Sequence, residues 1–185
     1  MKRLFGITVL AAGLALVSCG GGGGSDSLDS FFPADNEVAG WTRSPAGSSP
    51  QVANGFNAAE ALVDGDADPF NEAPSPFVAF AWQLYAKGDY AMDFRIWEMP
   101  DAAACASLWT HLSTNVATYT SKTWGAESIG DSGHSAETAS FWWINSCVDK
   151  YFLEAKVSLA AGGAPDQAAH DLGLAFMQAA AAKIP

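Results

Sequence analysis

Three groups of residues in this chain have types and spacings that could do chemistry. The first is Gly130-Asp131-Ser132-Gly133-His134, which sets a hydroxyl between a carboxylate and an imidazole. Acyl transfer needs such a nucleophile, with a base in reach and a third group orienting the base. The second is Asp64-Gly65-Asp66-Ala67-Asp68-Pro69-Phe70-Asn71-Glu72, whose alternate acids resemble the start of a calcium loop. Such a loop wants oxygens at positions 1, 3, 5 and 12 and Gly at 6. Here position 6 is Pro69 and position 12 is Ser75, so only a looser divalent site on Asp64, Asp66 and Asp68 stays open. The third is the cysteines, Cys19, Cys105 and Cys147. The three histidines, His111, His134 and His170, have no ligand spacing, and no Cys-x-x-Cys, dinucleotide or phosphate-loop fingerprint occurs. No catalytic residue, metal or cofactor is therefore expected.

Those groups must be positioned by the elements around them. Phe77 to Tyr85 and Tyr90 to Trp97 alternate about Lys87-Gly88-Asp89, which predicts a β-hairpin in an antiparallel sheet with one polar face. Asp101 caps a helix in which Cys105, Leu108, Trp109, Leu112 and Val116 form one stripe. Ala139 to Asn145 and Tyr151 to Leu159 predict a second hairpin, with Trp142 and Trp143 on opposite faces and Cys147 in the turn. Gln167 to Lys183 is an Ala-rich helix with Leu172, Phe176 and Ala179 or Ala180 inward. Asn57 can cap a short helix from Ala58 to Val63. Phe31 to Trp41 reads as an extended segment docked on the core, and residues 42 to 57 read as loop up to that cap. Residues 118 to 138 predict a short strand near Lys122 to Ala126 and a long loop. The sum is an α+β domain, an antiparallel sheet built from hairpins with two or three helices packed on one face.

The amino terminus carries the most specific signal. Lys2 and Arg3 precede an uncharged apolar run, Leu4 to Val17, which is shorter than the about 20 residues that span a bilayer. It closes on Leu16-Val17-Ser18-Cys19, which resembles the cleavage box of bacterial lipoproteins at all four positions. The resemblance implies cleavage before Cys19, a diacylglyceryl thioether on Cys19 and acylation of the new amino terminus. Two or more acyl chains make a stable anchor, at about 0.8 kcal/mol per buried CH₂. Gly20 rather than Asp favours the outer membrane over the inner. The organisation expected is 1–18 signal peptide, 19–30 lipidated Cys and Gly/Ser-rich tether, and 31–185 a single domain. The tether has a root-mean-square span of about 18 Å. An exported chain meets an oxidising compartment, and with Cys19 taken by lipid the remaining pair, Cys105 and Cys147, suggests one disulfide.

Two further resemblances are weaker in specificity. Gly130-Asp131-Ser132-Gly133 resembles the nucleophile loop of chymotrypsin-like serine proteases, with His134 where that family has another Gly. It implies a hydrolase on Asp131, Ser132 and His134, in a chain too short for that family's two barrels. Pro33 to Trp41, the helix end Val63-Asp64-Gly65 and the strand Phe94 to Met99 resemble a family of uncharacterised bacterial lipoprotein domains. That family has no established activity, so the resemblance adds fold and not function.

Charge narrows the partners. The formal net charge is −11, and −13 without Lys2 and Arg3. Such a chain is repelled by nucleic acid and by anionic headgroups, so the membrane partner is expected through lipid on Cys19 and nucleic acid is excluded. The expected function is a membrane-anchored, exported, non-enzymatic binding, scaffolding or sensing domain. The alternative is a small-ligand or divalent-metal module using the 64–72 acids and exposed aromatics such as Trp41 or Trp97.

Overall fold

The computed structural model describes residues 27–185. Cys19 and most of the tether lie outside the described residues. The fold is α+β, an open antiparallel sheet of eight strands. They are β1 (Thr42–Arg43), β2 (Gln51–Asn54), β3 (Ala79–Lys87), β4 (Tyr90–Glu98), β5 (Gly125–Glu127), β6 (Ser132–Glu137), β7 (Trp142–Val148) and β8 (Tyr151–Leu159). The sheet runs β1-β3-β4-β8-β7-β6-β5, with β2 beside β1 on the free edge of β3. The helices are α1 (Phe56–Val63), α2 (Asp68–Asn71), α3 (Ala102–Asn115), α4 (Ala117–Thr120) and α5 (Gln167–Ala181). Among the described residues no helix is long and apolar enough to cross a membrane.

Both expected hairpins form. Lys87 pairs with Tyr90 and Val148 with Tyr151, so each turn is two residues long. The expected Asp101 cap forms, its carboxylate accepting from the backbone N–H of Ala104 at 2.7 Å, whereas Asn57 lies inside α1; Asp166 caps α5 in the same way as Asp101, accepting from Ala169 at 2.8 Å.

Period-two alternation sends side chains to both faces of this sheet, and both faces are covered. Met92, Phe94 and Ile96 of β4 join Leu153, Ala155 and Val157 of β8 under α5, against Phe176, Met177 and Ala180. Trp97, Phe80 and Phe152 point the other way and pack with α1, α2 and α3 through Ala59, Phe70, Cys105, Leu108 and Leu112. The helices thus divide between the two faces instead of sharing one, and the face expected to be polar carries a second core. The reason is the aromatic content of both sets of strand positions: Phe80, Trp97, Trp143 and Phe152 on the second face are too large and apolar to be left in water.

The segment before β1 docks on the core as expected, on the α5 side, but as a run of turns instead of extended chain. Phe31, Phe32 and Trp41 are buried there, and so is Leu28, counted with the tether from sequence. The Tyr85 hydroxyl and the Arg43 guanidinium hold its carbonyls, Tyr85 donating to Pro33 O at 2.8 Å and Arg43 to Phe32 O at 3.2 Å. Burial pushes the Tyr85 phenol up to about 12.

Four local expectations change. Residues 42–57 contain β1 and β2, and α1 starts at Phe56 behind Gly55. The strand near 122–126 forms at Gly125–Glu127, and the loop after it contains β6, whose Ser-Gly-His-Ser-Ala-Glu sequence has no apolar alternation. Cys147 stands inside β7, paired with Phe152, and the turn is Asp149-Lys150. There it faces Cys105 of α3 at disulfide distance, with the Cα atoms 6.0 Å apart.

Candidate functional site

On the second face the sheet carries parallel rows of side chains, one per strand. One row is apolar: Cys147, Phe152, Trp97, Phe80. The next, two residues along each strand, is polar: His134, Asn145, Glu154, Arg95, Trp82. The third runs Trp143, Lys156, Asp93. Helix α3 covers the apolar row. The polar rows continue beyond it into a cavity of about 660 Å³, of the size that small-molecule sites occupy.

The floor of this cavity is Arg95, Glu154, Trp143 and Lys156. One wall is the α1–α2 turn and α2, with Asp66 and Phe70. The second is α4 and the residues after it, with Tyr119 and Lys122. The third is the β6–β7 turn, with Ser140 and Phe141. Thr138 fixes that turn, its Oγ1 donating to Phe141 O at 2.7 Å and accepting from the N–H of Ser140 and Phe141.

Glu154 is 1% exposed. Its Oε1 accepts from the Trp143 indole at 2.8 Å, its Oε2 from the Trp97 indole at 3.4 Å, and Lys156 Nζ lies 3.5 Å from Oε1. Arg95 is 6% exposed and clamps Asp93 with Nε and Nη2, at 2.9 and 2.7 Å, while Nη1 reaches Asp66 at 2.8 Å. Burial opposes the guanidinium charge, but Glu154, Asp93 and Asp66 outweigh it and raise the Arg95 pKa. Burial likewise pulls the Asp66 carboxyl up, and Lys156 and Arg95 reverse this and hold it below the usual carboxylate value. Tyr119 is 2% exposed, and its hydroxyl finds no partner among the described residues. Burial, then the nearby Glu154 charge, push its phenol well up, so at neutral pH it is an O–H donor.

The acid-rich segment has a role here different from metal binding. Asp64 ends α1 in the left-handed region at φ 43°, and the reversal carries Asp66 over the sheet to Arg95 and Lys156. Asp68 opens α2 and is exposed, as is Asp64. The three carboxylates do not converge, and among the described residues no group of three or more His, Cys, Asp and Glu could hold a metal ion.

The hydrolase arrangement fails on geometry. Ser132 and His134 lie on one strand, two residues apart, and no hydrogen bond joins them among the described residues. The His134 ring lies flat on Trp109, centroids 3.9 Å apart and planes 7° apart, and burial lowers its pKa. Asp131 Oδ2 accepts from the N–H of Asp149 at 2.8 Å. Both glycines of the string serve packing: a Cβ on Gly130, at φ +54°, would stand 2.5 Å from Cys147 O, and one on Gly133 2.7 Å from Glu127 O. The aromatics proposed as exposed ligand platforms are both buried: Trp41 packs edge-on to Phe176, and Trp97 stacks on Phe70 with ring centroids 3.9 Å apart.

Sequence reasoning missed Arg95, Glu154, Lys156 and Tyr119. It also missed a cluster on the other face, where His170 Nε2 lies 2.9 Å from Glu127 Oε1 and 3.3 Å from Ser135 Oγ, tying α5 to β5 and β6.

No protein-family model matches the sequence, and no curated protein matches it. The chain is similar in structure to the extracellular domain of PknH from Mycobacterium tuberculosis, at 9% identity, with 81% of this chain and 92% of that one covered and a TM-score of 0.43. At that level nothing about ligand, partner or activity passes from one chain to the other.

Proposed function

We propose that this chain is an exported lipoprotein of the bacterial cell envelope, anchored by lipid on Cys19 and favouring the outer membrane, whose domain is a non-enzymatic module that binds a small ligand in the cavity over Arg95 and Glu154. The observation that carries the reading is the floor of that cavity. Charged groups buried in a fold are often no more stabilising than apolar side chains of the same volume. Here a carboxylate and a guanidinium, each nearly inaccessible, stand at the base of an open space beside a phenol that has no partner among the described residues. Polar groups held ready in a mostly apolar concavity are what orients a small ligand.

Two experiments test the two halves. Membrane fractionation of cells expressing wild type and Cys19→Ala tests the anchor: the wild type is expected in the membrane fraction and the variant in the soluble fraction, and a variant still on the membrane overturns the lipid reading. Native mass spectrometry of the protein purified from the envelope tests the cavity. A bound small molecule is expected, and it should be lost in Ser140→Trp, which fills the mouth. Retention of the molecule by that variant places it elsewhere and overturns the cavity reading.

A further inference from the structure

We infer that the ligand of this cavity is a neutral saccharide, taken as an oligosaccharide of two or more sugar units. The inference rests on the cavity reading above and deepens it.

The first argument is charge balance. Arg95, Lys156 and Lys122 supply positive charge around the cavity, and Asp66 and Glu154 line it, with Asp93 clamped behind Arg95. The two signs cancel. A ligand with a net negative charge would meet Asp66 and Glu154, and would also approach a chain of formal charge −11. A net cation would meet Lys122, Lys156 and Arg95. A neutral ligand pays neither cost.

The second argument is the hydrogen-bonding capacity left over. Arg95 and Lys156 both reach Asp66 through Oδ2, so Oδ1 keeps acceptor capacity, on a side chain that is 49% exposed. The Tyr119 hydroxyl has no partner among the described residues, and Ser140 stands on the rim. Donors and acceptors are thus interleaved within one small space. A hydroxyl both donates and accepts, so a polyol satisfies such a mixed set from either side. A hydrocarbon ligand would leave it unpaired.

The third argument is shape. Phe141 and Trp143 give the cavity aromatic surface on which the C–H face of a sugar ring can lie. Phe141 and Lys156 also border a second, smaller depression of about 280 Å³, lined by Leu84, Ala86, Ala91 and Ser158 of β3, β4 and β8. The two spaces adjoin through those shared residues. The buried Tyr119 lines the first, and Leu84 with the small side chains of Ala86, Ala91 and Ser158 lines the second. That is the form a chain-like ligand needs, with one unit inserted and the next lying along the sheet.

The test uses the full chain in a detergent without a sugar headgroup. Tryptophan fluorescence, to which Trp143 contributes as one of seven tryptophans, and saturation-transfer NMR are recorded with three sets of probes at millimolar concentration. The sets are neutral oligosaccharides (maltotriose, cellotriose, chitotriose), an acidic one (trigalacturonate) and zwitterionic dipeptides. Saturable binding of at least one neutral oligosaccharide is expected. Tyr119→Phe, which removes only the unpartnered hydroxyl, should weaken it about three- to tenfold, and Phe141→Ala should weaken it further. Binding confined to the acidic or the zwitterionic set overturns the saccharide inference and leaves the cavity reading standing. Binding of no probe, or binding that neither variant changes, overturns the saccharide inference. A small molecule still found by native mass spectrometry, and lost in Ser140→Trp, would then show that the cavity reading survives.

Discussion

The indole of Trp143 donates to Glu154 Oε1 across 2.8 Å, joining neighbouring strands β7 and β8 beneath the cavity. The carboxylate also takes the Trp97 indole and a long contact from Lys156, so its charge is divided among three donors in a nearly inaccessible place. Removing it leaves the two indole N–H groups without their acceptor and takes a neighbouring negative charge from Lys156 and Arg95. Glu154→Ala should lose about 3–5 kcal/mol in urea unfolding, as when one member of a buried charge network is deleted. Glu154→Gln, which keeps an oxygen for one indole, should lose less. Equal loss in both would mean that the charge is what matters.

Acid should loosen this face, and the sign follows from Asp66. Its folded pKa lies below its unfolded value, because Lys156 and Arg95 overcome its burial. The unfolded chain therefore binds the proton first. The stabilisation is full above the unfolded carboxylate value and is lost as pH falls below it toward the folded value. Unfolding midpoints should drop through the acid range in the wild type and drop less in Asp66→Asn, which starts lower. His134 acts in the same direction in a window just below the ordinary imidazole value, since burial lowers its folded pKa. His134→Phe should flatten that part of the profile.

The elements around these residues were largely legible, and the site was not. Asp101 announced the start of α3, the Ala-rich run from Gln167 announced α5, and alternation announced β3, β4, β7 and β8. Strand β6 escaped because its pairing with β7 and β5 fixes it, with Ser132, Gly133, His134 and Ser135 giving no period of their own. Glu154 and Arg95 stood at strand positions opposite apolar ones, which in a half-covered sheet would face water. Their burial comes from the α1–α2 turn, α2 and α4, short segments that weak local propensity hardly marks. Asp66 was visible as an acid but its partners were not, since Arg95 and Lys156 reach it from positions 29 and 90 residues along the chain. The cavity joins segments that no local pattern links.

Cys105 and Cys147 offer a second stability test, because their bond would fix α3 to β7 across 42 residues of sequence. Closing a loop of that length in the unfolded chain corresponds to about 4 kcal/mol in the chain-entropy account. Native protein should take up alkylating reagent at neither thiol without reductant, read by mass spectrometry, and the urea midpoint should fall on adding reductant. The paired variant Cys105→Ala/Cys147→Ala should show the lower midpoint with or without reductant. Two thiols alkylated in the native protein would refute the bond.

The other face has its own sensitive contact at Gly173 of α5. Elsewhere in a helix Gly→Ala stabilises, because alanine has the higher helical propensity by about 1 kcal/mol. Here the added Cβ would stand 2.6 Å from Val157 Cγ2 and 2.8 Å from Ile144 Cδ1, both on strands of the sheet beneath. Those atoms belong to stiff, fully buried side chains, so the helix must move off the sheet or the core must shift. Overpacking of that kind costs about 1–3 kcal/mol, more than the propensity returns. Gly173→Ala should therefore lower the unfolding midpoint, and Gly173→Ala with Val157→Ala should recover part of the loss by vacating the space. A stabilised single variant would mean that α5 lies farther from β7 and β8 than these contacts place it.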